Sequence, residues 1–275
     1  MATVAQPVVE RERRPDLLSG TPRAHGIDRW IYVFTAASFI VIVLAGFIPS
    51  SLGKIAAVQA GERPPFPLAM HAHAILMGSF LLLLLAQTTL VATGRCGLHR
   101  RLGIAAFVLA PAIVVAGFML VVGNYHGLSG AAAAAATPET QLRLQQTLQR
   151  VDNIMLLQLR IGLLFPILLA IGLTARGRDA GLHKRMMILA VAGALPAGID
   201  RIPWLPTTLP DSPIAPDLYT LLAISPMLLW DLVRNRSLHR AYWIWLALAL
   251  PLSVAVHALW NTDYWHAFAP WLMRV

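Results

Sequence analysis

Charge is scarce in this chain. Of 275 residues, 13% are Asp, Glu, Lys or Arg and 57% are hydrophobic, whereas a soluble domain carries about 25% charged and about 45–50% apolar residues. Too few charges to coat a water-facing surface exclude a soluble globular domain. They point instead to an all-α, polytopic membrane protein with the lipid bilayer as its solvent. Cysteine is scarcer still. Cys96 stands alone, so no internal disulfide and no Cys-x-x-Cys metal or redox motif can form, and it reads as an inert loop thiol. The chain has no Gly-rich phosphate loop, no His-Glu-x-x-His zinc motif and no Gly-x-Ser-x-Gly elbow. Its last apolar run contains no lysine, which excludes a retinal Schiff base. The net charge is +9, but the cations lie in short loops between apolar runs, where membrane topology demands them. No basic domain exists to grip phosphates, so nucleic acid is not an expected partner.

What is abundant is apolar sequence in runs. A spanning helix needs about 20 apolar residues, within a range of about 17–25. Seven segments answer to this: 30–48, 68–92, 102–122, 154–175, 186–202, 218–233 and 241–260. Residues 1–29 carry Pro7, Pro15, Pro22 and the charge run Glu10 to Arg14, and read as a disordered cytoplasmic tail ahead of a membrane domain over residues 30–275. With seven spans, the tail and every second loop collect 15 of the 22 Lys and Arg residues. The positive-inside rule then puts the N-terminus in the cytoplasm and the C-terminus outside.

Three turns repeat: Gly97-Leu98-His99-Arg100, Gly181-Leu182-His183-Lys184 and Ser237-Leu238-His239-Arg240. A proline follows each turn histidine in the returning helix: Pro111, Pro196 and Pro251. The expected architecture is therefore one helix plus three helical hairpins. Pro67 stops any helix before His71. Thr137 with Pro138 and Glu139 reads as an N-cap, first helical residue and first-turn acid. Five prolines between 203 and 217 predict a stiff outer crossover. The C-terminal aromatics Trp260, Tyr264, Trp265 and Trp271 read as an interfacial belt.

Ionisable side chains within spans cost about 2.5–3.5 kcal/mol at the bilayer centre and face a bundle interior or a wet cavity. His71 and His73 fall at the outer end of the second span and His257 near the outer end of the seventh. Asp200 and Arg201 fall at the outer end of the fifth. Arg160 lies roughly 10 Å into the fourth at 1.5 Å per residue, and His126 and His266 sit just outside. The functional reading is a shared outer-leaflet site for haem, a metal ion or a quinone, built from His71, His73, His257, Asp200 and Arg160. The three histidines would be the metal ligands, and Arg160 would hold the aspartate ionised. The structural reading is that His and Arg reach for head groups while Asp200 pairs with Arg160 or Arg201. His71 and His73 are two apart and point to different helix faces, so they share a metal only where the chain is still extended. Imidazole suits zinc, copper and iron alike. The inner histidines His99, His183 and His239 read either as haem ligands or as turn and head-group anchors. Their place at helix mouths beside cations favours anchoring.

The stretches Pro65 to His73, Gly94 to Gly103, Leu182 to Met187 and Val233 to Tyr242 resemble a family of uncharacterised bacterial multi-pass membrane proteins. The resemblance covers most of the chain past residue 28 and implies a bacterial inner-membrane location. The chain is also similar to two-haem cytochrome b proteins of the ascorbate-reducible kind, which have histidines near both faces and basic turns. The expected function is that of a redox-associated membrane protein. The alternatives are a small-solute transporter with the same groups between repeats, and a non-catalytic accessory subunit held by a membrane-complex partner or a second copy.

Overall fold

The computed structural model describes residues 15–274, and every regular element among them is helical. The charge run Glu10 to Arg14 and the first half of the expected tail lie outside the described residues. The helices are α1 (Gly26–Gln59), α2 (Leu68–Ala92), α3 (Cys96–Leu102), α4 (Ala106–Ala133), α5 (Pro138–Ala175), α6 (Ala180–Ala192), α7 (Pro196–Ile199), α8 (Ile214–Asn235), α9 (Arg240–Leu259) and α10 (Asp263–Met273). A 3₁₀ turn, Gly103–Ala105, joins α3 to α4. Among the described residues six stretches are long and apolar enough to cross a membrane: α1, α2, α3 through α4, α5, α6 through α7, and α9.

Local chemistry explains the boundaries. The His25 N–H donates to the Asp28 carboxylate at 2.6 Å in a capping box, so α1 begins at Gly26, ahead of the expected Trp30. Residues 15–25 are therefore not all tail: Leu18 is buried among the helices. Thr137 caps α5, accepting from the Thr140 N–H at 3.2 Å with Pro138 in the first helical position. At 38 residues α5 is about 57 Å long. Asp179 caps α6, accepting from the Leu182 N–H at 2.8 Å. Pro196 lacks an amide hydrogen and splits the fifth span into α6 and α7. Thr262 caps α10, a helix that the aromatic belt had concealed in the sequence.

The centre of the bundle is α6. Its 20-residue span with α7 is 67% buried, against 17–44% for the other five. Met186, Ile188, Leu189, Ala190 and Ala192 are fully buried on several sides of the helix, and α5, α9, α1, α8 and α2 all pack against it. The outer helices instead expose large apolar side chains such as Phe34, Val41, Phe118, Val115 and Val254, the surface that lipid requires.

Two of the expected hairpins pack as pairs, α2 with α4 and α5 with α6. The third opens up: α9 packs along α5 and α6 while α8 packs along α1 and α7, because α6 touches both and wedges between them. α8 has 22 residues, about 33 Å, yet it stands outside the six apolar stretches. Asp217, Asp231 and Arg234 hold its hydropathy down.

α1 meets α7 at a backbone contact. A Cβ on Gly46 would stand 2.0 Å from the Gly198 carbonyl oxygen, whereas a Cβ on Gly53 of the same helix meets nothing within 4 Å. Gly46→Ala is therefore expected to destabilise the protein by about 1–3 kcal/mol through overpacking. Gly53→Ala should be neutral or stabilising, since alanine favours the helix by about 0.5–1 kcal/mol. Thermal unfolding of both variants in mild detergent checks the contrast.

Candidate functional site

Two arginines are buried in the bundle, and each meets an aspartate of α8. Asp217 and Asp231 are 14 residues apart, close to four helical turns, so they share one face of α8 about 21 Å apart. Asp217 meets Arg160 of α5 at one end, and Asp231 meets Arg185 of α6 at the other. What separates the two ends is how many donors each arginine has left.

Arg185 has none left. Its side chain is 0% exposed. Nε and Nη2 donate to the Asp231 carboxylate at 2.5 and 2.9 Å, Nη1 and Nη2 to Asp16 at 2.8 and 3.1 Å, and Nη1 to the Gly181 carbonyl at 2.9 Å. Five bonds use all five N–H donors of a guanidinium. Asn235 donates to both aspartates, at 3.1 and 2.6 Å, and its own oxygen accepts from the Leu17 N–H at 3.0 Å. Nearby, Asp28 accepts from Trp230 Nε1 at 2.9 Å and from Arg234 at 2.9 and 3.0 Å. Lys184 donates to the Leu18 carbonyl and stands 4.8 Å from the Tyr32 ring centroid. This is a closed ionic knot that ties residues 16–18 to α6 and α8, and it is structural.

Arg160 has donors left. Its side chain is 6% exposed. Nη1 donates to Asp217 Oδ2 and to Ser253 Oγ, both at 3.0 Å, and Nη2 donates to Asp217 Oδ1 at 2.6 Å. These are three bonds from five donors. His257 of α9 stands with Nε2 3.1 Å from Asp217 Oδ2, and its side chain is 36% exposed. The group thus joins α5, α8 and α9, and its imidazole edge is reachable from outside. Arg160 offers N–H donors, Ser253 a hydroxyl, Asp217 an acceptor, and His257 a proton-exchanging ring.

The expected outer site is thus assembled in part. Arg160 and His257 come together, but Asp217 stands where Asp200 was expected. Asp200 caps the end of α7, and its neighbour Arg201 stacks on Phe47 of α1 at 4.9 Å. His71 is exposed and meets Phe66 edge-on at 6.0 Å. His73 turns toward α4, where a Cβ on Gly117 would stand 3.4 Å from its Cε1, and its Nδ1 is buried without a partner among the described residues. His71 and His73 of α2 thus meet different neighbours, and His257 of α9 pairs with Asp217 instead. Among the described residues no three His, Cys, Asp or Glu side chains gather to hold a metal.

A further group, around Asp152, was not among the sequence expectations. Asp152 is 3% exposed and accepts from Tyr125 Oη at 2.9 Å; His266 Nδ1 lies 3.0 Å from it, and Trp265 Nε1 donates to its carbonyl at 2.7 Å. This cluster docks α10 on α4 and α5. Of the inner histidines, His239 Nδ1 accepts from the Ala241 N–H at 3.1 Å and caps α9, which is an anchoring role. His99 and His183 meet edge to face with ring centroids 6.2 Å apart.

The knot predicts a pH dependence. Burial works to raise the Asp16 carboxyl, but the Arg185 guanidinium and the Lys184 ammonium outweigh it and hold Asp16 well below its ordinary 3.8. A carboxyl lowered by folding contributes stability that is present above the unfolded value and is lost as pH falls through the folded one. Asp16→Asn should therefore destabilise the protein by about 1.5–3 kcal/mol at pH 7. The gap to wild type should hold down to about pH 3.8, narrow below it and close only near the much lower folded value; melting curves from pH 7 into the acid range below 3 would read the narrowing.

Compared with family models, curated proteins and solved structures, this chain matches none.

Proposed function

We propose that the chain is a redox-associated protein of the bacterial cytoplasmic membrane whose outer-leaflet site takes the head group of a quinone. The observation that carries this reading is the unspent donor capacity of Arg160, buried in the bundle beside Asp217, Ser253 and the accessible His257. Two of its five N–H donors have no acceptor among the described residues, and a ligand carbonyl oxygen can take them. With His257 neutral, Arg160 and Asp217 balance, so the site favours a neutral ligand over an anion. Two ring carbonyls, which become hydroxyls on reduction, match donors and acceptors set side by side. The exposed apolar side chains around the bundle, among them Val254 and Leu218, let an amphiphile arrive through the lipid.

In this reading the protein has seven spans. α8 is the seventh: its length suits about 30 Å of hydrocarbon, and both aspartates that lower its hydropathy are paired to arginines. The excess of Lys and Arg on one set of loops puts the N-terminus inside and the C-terminus outside. Oxidation of a quinol releases two protons and two electrons. His257, hydrogen-bonded to Asp217, takes the two hydroxyl protons one after the other and passes each to the outer side. Arg160 holds Asp217 in place through its two hydrogen bonds. The electrons pass to a second redox centre, in this chain or in a membrane-complex partner.

A second reading, a small-solute transporter, is favoured by one observation. α8 carries an aspartate near each face, each locked to a buried arginine of a different helix, as an outer and an inner gate would be. One experiment separates the two readings. A short-chain benzoquinone at about 100 times its dissociation constant stabilises a specific site by about 2.7 kcal/mol. It should raise the melting temperature of the wild type in mild detergent and fail to do so for His257→Ala and Ser253→Ala. No rise for the wild type would sink the quinone reading, and a rise with small carboxylates or sugars instead would favour the transporter.

A further inference from the structure

Few cations reach the outer face, yet Lys54, Arg63 and Arg201 meet there at one corner. In the orientation proposed above, 15 of the 22 Lys and Arg residues lie inside and Arg160 lies within a span, which leaves Lys54, Arg63, Arg143, Arg150, Arg201 and Arg274 outside. Arg143 is paired to Glu139 at 2.5 Å. Lys54, Arg63 and Arg201 instead gather where α1, α7 and the loop into α2 come together, with Lys54 in Coulombic reach of both guanidiniums. Membrane topology does not ask for cations on this side, and like charges repel, so the cluster needs another reason.

Both guanidiniums are placed by aromatic rings rather than by an anion. Arg201 Cζ lies 4.9 Å from the Phe47 ring centroid, and Arg63 Cζ lies 5.5 Å from that of Phe66. The root of Arg201 is pinned against α1, where a Cβ on Gly46 would stand 3.3 Å from Arg201 Cβ. Arg201 also gives an N–H to the Ala197 carbonyl. A guanidinium over a ring face keeps the rest of its N–H fork for oxygen anions. Lys54 is seven residues beyond Phe47, so it lies on the same stripe of α1, about 10 Å further out. Asp200 and Glu62 adjoin the two arginines in sequence. Among the described residues neither carboxylate comes within ion-pair distance of the three cations. Even with both counted, the corner keeps a net positive charge.

Position selects the kind of anion. Phe47 lies at the outer end of the first apolar run and Arg201 at the outer end of the fifth, which is head-group level. α1 continues past its apolar run, and Leu52 and Ile55 on that continuation are exposed. Leu68 at the start of α2 and Trp204 just beyond Arg201 are exposed as well. Cations bordered by large apolar side chains suit an amphiphile, with its phosphate on the charges and its chains along the apolar surface. Guanidinium forks and a lysine ammonium are both phosphate binders. A soluble anion would leave the apolar border unused.

We propose that Lys54, Arg63 and Arg201 bind the phosphate of an anionic phospholipid in the outer leaflet. The choice of leaflet rests on the orientation given above, but the residues are separate from the quinone site. Lipid stabilisation reads the Arg201 corner and quinone stabilisation reads His257, so either can fail alone.

The test uses the full-length protein in a mild non-ionic detergent. It is titrated with short-chain phosphatidylglycerol, with phosphatidylcholine of the same chain length, and with inorganic phosphate. Phosphatidylglycerol should raise the melting temperature saturably and stay on the protein, one per chain, in native mass spectra. Phosphatidylcholine should do neither. Lys54→Gln and Arg201→Gln should each weaken binding by about fivefold. Arg143→Gln, at an outer cation that is already paired, should leave binding unchanged. Should Arg201→Gln fail to fold, Arg63→Gln in the exposed loop before α2 reads the same site and should weaken binding alike. An equal response to the two lipids overturns the proposal. So does binding that the Lys54 and Arg63 variants leave intact, or that Arg143→Gln lowers as much as they do. A rise with inorganic phosphate as large as with phosphatidylglycerol assigns the corner to a free phosphate and overturns the lipid. An acidic protein that co-purifies and is lost with Lys54→Gln overturns it too.

Discussion

The bundle depends on the matching of two α8 aspartates to two buried arginines. An aspartate or arginine alone in hydrocarbon is expensive, by about 2.5–3.5 kcal/mol each even on the mildest scale. Pairing at 2.5–3.0 Å through two-pronged contacts converts that cost into geometry. The pairs fix the rotation of α8, because both carboxylates must face inward at once. They also fix its depth, because the arginines sit on different helices at opposite ends. Around this frame the apolar contacts of α6 can be close-packed without deciding which way α8 turns. The retained charge thereby secures a single arrangement, at a cost that an apolar pair would not carry.

The same comparison separates structure from function in the two ends. A guanidinium with five partners, as at Arg185, has nothing left to offer a ligand. A guanidinium with three partners, as at Arg160, has. Had both arginines been saturated, the Arg160 cluster would read as a second strut. The exposed edge of His257 and the hydroxyl of Ser253 add chemistry that a strut does not need. The turn histidines extend the contrast: one turn motif caps a helix at His239, and the same motif twice over brings two imidazoles together edge to face.

Much of this was legible in the chain itself, for local reasons. The bounds of α2 follow from Pro67 and the end of an apolar run, and the start of α5 from the Thr137-Pro138 pair. Arg160 and His257 stood out as ionisable groups in apolar runs. What escaped depends on distant partners. Asp217 read as the end of a proline-rich loop, because Arg160, which lets it enter the bundle, is 57 residues upstream. Arg185 read as one more inside-loop cation, yet it is the largest of the fully buried side chains. Asp200 read as a site residue because it adjoins an apolar run, but the Pro196 break turns it away with α7. His99 and His183 looked like copies of His239 because the triplet hides which neighbour each ring will meet.

The knot around Arg185 has a consequence for the order in which the protein is made. Asp16 is synthesised among the first residues, yet its partners Arg185 and Asn235 lie 169 and 219 positions later. Chains emerge N-terminus first, so Asp16 waits, unengaged, until α6 and then α8 have been delivered. A chain stopped before α8 would hold Arg185 without Asp231 and could not close the knot. The N-terminal segment thus works as a latch that only a finished bundle can fasten, and its fastening separates complete copies of the protein from incomplete ones.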